Sequence, residues 1–137
     1  MSEPRTEPPS GAPPPRTAAG PDGEIDLVAL ARAVCRRYDG EFPDERERYG
    51  PAGMAWCEHD NQHLLSWAVA DVHGGFVDLL AQVAWLARIL VARDFPLPRL
   101  ARNLELCAEV VTRELTDPAL ADRLREAAAS VPSSTGS

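Results

Sequence analysis

Lysine is absent from the chain, and all fourteen cationic side chains are arginine. That excludes a Schiff base to a carbonyl cofactor, a phosphate-loop lysine and a Ser-Lys dyad. Cationic charge is also outnumbered, with 21 acidic residues and a formal net charge of -7. A phosphate backbone needs clustered cations to release its counterions, so no nucleic-acid partner is expected. Serine outside the two tails is reduced to Ser66, which has no G-x-S-x-G context. Glycine-rich phosphate loops are missing, since Gly74-Gly75 stands alone. No segment alternates apolar and polar residues as a half-buried strand would.

Long apolar runs are missing too. Phe76 to Val91 is interrupted by Asp78, Gln82 and Arg88, and no segment is long enough to span a bilayer. Met1 to Gly23 contains no apolar stretch of signal-peptide type. Cys35, Cys57 and Cys107 form no C-x-x-C pair, and their odd number suits reduced thiols in the cytoplasm. The expected location is therefore cytoplasmic, with no membrane partner.

What is present is helical periodicity. Residues 1–23 hold seven prolines and almost nothing to bury, which predicts a disordered Pro-rich arm. Its proline triplet could serve an SH3-like partner, although a solvated tail explains it as well. Residues 24–129 predict one helical domain, and 130–137 a disordered tail. Leu27, Leu30, Ala31, Val34 and Tyr38 give the first helix, Glu24 to Tyr38, an apolar stripe ending at Asp39-Gly40. A charged stretch, Glu41 to Tyr49, follows as an exposed turn. A second helix is expected from near Pro51 to Val72, and a third from Phe76 to Arg93. The third is apolar over most of its circumference, as suits a central or interface helix. Leu100, Leu104, Cys107 and Val111 mark the fourth helix. Asp117-Pro118 is an N-cap followed by Pro at the first helical position, opening a fifth. The expected fold is all-α: about five helices in a compact bundle or globin-like packing.

The densest set of potential ligands is Cys57, His59, Asp60 and His63. His59 and His63 are spaced i, i+4, so a helix projects both imidazoles from one face. With Asp60 or Cys57 they could hold Zn or Fe. A solvated polar helix face accounts for the same residues without a metal, and no cofactor is required. Trp67 and Trp85 could line a flat pocket or simply pack in the core. Arg88, Arg93, Arg99 and Arg102, with Trp85 nearby, concentrate positive charge around the Phe95-Pro96-Leu97-Pro98 connector. This is a candidate partner-binding region for a carboxylate or phosphate. Helix C-termini favour cations anyway, which covers Arg88 and Arg93.

The run Tyr49-Gly50, Gly53, Cys57, Asp60, His63-Leu64, Phe76, Trp85-Leu86, Leu90, Arg93 and Pro96 resembles helical modules of actinobacterial and related regulatory proteins. The resemblance covers residues 48–112, and implies a helical sensor or interaction module rather than a catalyst. Some such modules lie beside cobalamin-binding domains, whose D-x-H-x-x-G signature is absent here. Two functions follow as expectations. One is a non-enzymatic regulatory or adaptor domain acting through protein-protein association, expected as a homodimer. The other is a metal- or small-ligand-binding sensor built on the Cys57 to His63 helix face.

Overall fold

The computed structural model describes residues 13–132. Expectations for residues 1–12 and 133–137 fall outside the described residues. The chain enters through a two-stranded antiparallel hairpin, β1 (Thr17–Gly20) and β2 (Gly23–Asp26). Here the expectation of a disordered arm through residue 23 is corrected. A two-residue Pro21-Asp22 turn joins the strands, with Gly20 paired to Gly23 and Gly23 at φ 128°. Two interactions fix the hairpin to the helices: Leu27 N–H donates to Arg16 O at 2.9 Å, and Gln62 Nε2 donates to Pro15 O at 3.0 Å. Ile25 is its buried anchor. Two adjacent alanines in β1 and the single Ile25 in β2 are too little for a period-two signal, which is why these strands escaped the sequence pattern.

Helix α1 is Leu27–Glu41 rather than Glu24 to Tyr38. Asp26 caps it, accepting from Ala29 N–H at 3.1 Å, which places the start after β2. At the other end Asp39-Gly40 does not stop it, because the next turn is closed by Phe42 N–H donating to Tyr38 O. Helix α2, Asp44–Val69, consists of two helical segments joined at Gly50. Pro51 disfavours αR backbone in its predecessor, and Gly50 takes φ 64°, ψ -155°, a conformation open essentially to glycine. The first segment is the charged turn anticipated after Glu41, and the second starts at Pro51 as the sequence suggested. A π-helical turn, Ala70–Gly74, closes on Gly75 at φ 72°.

Helix α3 is Leu79–Ala92, capped by the Asp78 side chain, so its start lies three residues later than the apolar pattern suggested. Phe76 is left 79% exposed instead of joining the core. Helix α4 is Leu97–Glu114, and α5 is Pro118–Ser130 with the expected Asp117 cap accepting from Leu120 N–H. The five helices of the described residues make a mostly-α fold in which α4 packs on α5 and α1, and α1 packs on α2. Leu27, Val34, Leu64, Leu65, Leu104, Val111, Leu120 and Leu124 fill the centre. Val131 is buried just past α5, so the helical unit reaches into the expected tail. No helix among the described residues is long and apolar enough to cross a membrane.

Cys35 and Cys57, expected as reduced thiols, form a disulfide that joins α1 to α2 with a Cα separation of 6.0 Å. Sequence spacing could not reveal this pair, because 22 residues and a helix turnaround separate its members.

Candidate functional site

Below the α3–α4 connector lies a cavity of about 450 Å³, walled by α1, α2, α3 and α4. Its floor is apolar, with Leu64 from α2, Leu86 and Leu90 from α3, and Leu100 from α4. Its aromatic wall comes from Tyr49, Trp56 and Phe95. Tyr49 and Trp56 stand seven residues apart across the Gly50 break and meet edge to face, with centroids 5.6 Å apart. Gly53 makes room for Tyr49, since a Cβ there would come within 2.8 Å of Tyr49 Cβ.

Polar groups at the cavity's inner side largely satisfy one another. Asn61 and Asn103 are buried and exchange amide hydrogen bonds of 3.1 and 2.8 Å. The Cys107 thiol donates to Asn61 Oδ1 at 3.1 Å, and Asn61 Nδ2 also donates to Cys57 O at 3.0 Å. The same amide approaches the disulfide sulfurs, at 3.4 Å from Cys57 and 3.5 Å from Cys35. All three cysteines thus gather around one asparagine. Burial pushes the Cys107 thiol up to about 12, so it is neither a thiolate nucleophile nor a thiolate metal ligand near neutrality.

Another part of the cavity lining carries charge. Tyr38 Oη donates to Glu45 at 2.6 Å, and Arg99 donates to Glu45 at 2.8 Å and to Asp44 at 3.1 and 3.2 Å. The Arg99 guanidinium also lies 4.4 Å over the Phe42 ring. Burial, then the Glu45 carboxylate, raises the Tyr38 phenol well above its ordinary value. His59 and Asp60 line the cavity from α2. His59 Nδ1 is buried without a hydrogen-bond partner, and Asp60 Oδ1 is 3.8 Å from it, beyond hydrogen-bond reach.

The proposed metal set does not come together. Cys57 is bridged to Cys35, which removes its thiolate, while His59 and Asp60 face the cavity. His63 is buried off the cavity wall, in a ring column with His59 at 4.9 Å and Trp67 at 5.9 Å. Among the described residues no three His, Cys, Asp or Glu side chains are grouped to hold a metal.

The arginine cluster is also divided. Arg93 and Arg99 line the main cavity. Arg102 is engaged internally, donating to Glu41 at 2.7 and 2.8 Å and to Glu105 and Glu109 at 3.1 and 3.2 Å. Arg88 is exposed on α3 beside a second, shallower cavity of about 410 Å³ that includes Val91, Leu97 and Val131. Trp67 and Trp85 pack, half-buried, against the core. The aromatic cavity is therefore built from Tyr49, Trp56 and Phe95, which the sequence did not single out together. The available signal was Tyr49 and Trp56 seven residues apart with Gly53 between them.

No family model matches the chain, and no curated protein or solved structure matches it.

Proposed function

We propose that this chain is a non-catalytic helical module that binds a small, mainly apolar molecule in the cavity between α2, α3 and α4. One observation carries the reading: an apolar, aromatic-walled cavity of about 450 Å³ with few convergent polar groups. Small-molecule sites have this size and lining, and they recur between the helices of bundles. The non-catalytic part rests on what the polar groups are doing. Cys35 and Cys57 are bridged, Cys107 is held protonated, and the two asparagines satisfy each other. The metal-sensor form of the reading loses support with Cys57 bridged, whereas the small-ligand form gains it.

A direct test is calorimetric titration with a neutral naphthalene-sized probe, alongside Trp56→Ala. The wild-type chain is expected to bind with a measurable heat and a raised melting temperature. Trp56→Ala should weaken binding about tenfold or more, as loss of a large aromatic wall would, while still melting cooperatively. No heat and no thermal shift with such probes would end the proposal.

A second reading is the regulatory or adaptor domain acting as a homodimer through α3. Val91 is 42% exposed and lines the second cavity together with the exposed Ala84 and Arg88 of α3. Light scattering at micromolar concentration decides this, since a monomer there removes it. The disulfide, finally, favours an oxidising compartment over the cytoplasm expected from three unpaired thiols. Mass measurement of protein recovered under thiol-blocking conditions distinguishes them.

A further inference from the structure

The charge in the cavity lining sorts the ligands that could enter. Arg99 is neutralised by Asp44 and Glu45, and Arg93 already has a partner of its own. Asp60 is different. Among the described residues its carboxylate has one ionic contact, His59 Nδ1 at 3.8 Å, and its side chain is 34% exposed. His59 Nδ1 is itself buried and unpartnered. In the neutral imidazole that atom is an acceptor when the proton is on Nε2. In that tautomer His59 Nδ1 and the Asp60 carboxylate are two acceptors side by side in the cavity lining. One helical turn from Asp60 stands the Trp56 ring, whose face attracts cations, while the Tyr49 ring already has the Arg48 guanidinium 5.8 Å over it. The net charge of -7 adds a long-range field of the same sign.

We propose that the cavity takes an amphipathic organic cation: a ring-bearing apolar body against Tyr49, Trp56 and Phe95, with its ammonium or amidinium group at Asp60. The proposal rests on the cavity being a ligand site and adds the charge of the ligand. Entry of an apolar body would strip water from Asp60, and a carboxylate so desolvated needs a cation or must take up a proton. An ammonium supplies that cation and gives the buried His59 Nδ1 a donor. An anionic ligand would meet both acceptors unfavourably.

The test uses three probes of nearly equal size, naphthylmethylammonium, ethylnaphthalene and naphthoate, titrated by calorimetry into the full chain. The ammonium is expected to bind about tenfold tighter than ethylnaphthalene, the range of a partly desolvated cation–π and charge-assisted contact. Naphthoate should bind weakest. Asp60→Asn should bring the ammonium down to the level of ethylnaphthalene, which should itself bind no more weakly than to the wild type because no carboxylate is left to desolvate, with an unaltered melting temperature confirming the fold. Equal affinities for the ammonium and ethylnaphthalene, a preference that survives Asp60→Asn, or tightest binding of naphthoate each overturns the cationic ligand while leaving the cavity reading standing. Failure of all three probes to bind removes the cavity reading, and the ligand class with it.

Discussion

Asn61 and Asn103 are the two residues whose burial most constrains this molecule. Each amide satisfies the other, and Cys107 and the Cys57 carbonyl complete the set. Removing one partner strands the other, which costs the desolvation of a buried amide, whereas removing both does not. Asn103→Leu should therefore lower unfolding stability by about 1–3 kcal/mol, read from urea melts. The double variant Asn61→Leu/Asn103→Leu should recover part of that loss. Cys107 gives a prediction in pH. Its folded value, about 12, lies above the ordinary 9.0, so the folded state binds the proton more tightly than the unfolded one. The stability it contributes is complete below pH 9 and is lost as pH rises toward 12. Cys107→Ala should flatten that limb of the stability–pH curve, leaving the fall that Tyr38, raised by burial and Glu45, adds in the same direction. In the native state the thiol should resist alkylation at pH values where an exposed cysteine reacts.

At the scale of elements, the joint between α1 and α2 is where the fold is fastened. The disulfide closes a loop spanning 22 residues, and Arg99 and Arg102 tie α4 to the acids around that joint. Closing a loop of this length stabilises by about 2–4 kcal/mol, chiefly by restricting the unfolded chain. Reduction, or Cys35→Ser, should lower unfolding stability by that amount, read as a lower urea midpoint, and loosen the wall that holds Trp56. The arginine clamps predict the acid limb. Hydrogen bonds from Arg102 hold the Glu41 carboxyl below its ordinary 4.5, and those from Arg99 hold Asp44 below 3.8. Both groups stabilise fully above those ordinary values and cease to do so as pH falls through the lowered ones. Acid titration of stability should show this loss, and Arg99→Leu together with Arg102→Leu should flatten it.

For the whole molecule, the consequence of these fastenings is a cavity that the core does not fill. The space, about 450 Å³, lies between packed helices and opens to solvent, which gives a ligand both a wall and an entry. A ligand that occupies it binds the folded state alone. At a free concentration of about 100 times its Kd it should therefore raise unfolding stability by about 2.7 kcal/mol. Thermal melts with increasing naphthylmethylammonium check this, and at the same ligand concentration a tenfold weaker Trp56→Ala should retain only about 1.4 kcal/mol of the increment.

Much of the architecture was determined by local chemistry along the chain. The i, i+3, i+4 stripes of Leu27 to Tyr38 and Leu100 to Val111, and the Asp117-Pro118 start, place their helices because capping and helical periodicity act between near neighbours. Asp78 was equally local, yet the apolar Phe76 and Val77 ahead of it masked the cap and moved the expected start of α3. The hairpin lay below detection because Pro15 O and Ile25 gain their partners only from helices packed later in the chain. The site was legible in fragments: Cys57, His59 and Asp60 do face one place, but the metal chemistry read from them does not follow. Tertiary packing alone set Cys57 against Cys35, matched Asn61 to Asn103 across 42 residues, and spent Arg99 and Arg102 on internal acids. Sequence determines which side chains share a helix face. Which faces meet, and so which charges remain for a ligand, is decided only when helices distant in sequence close on one another.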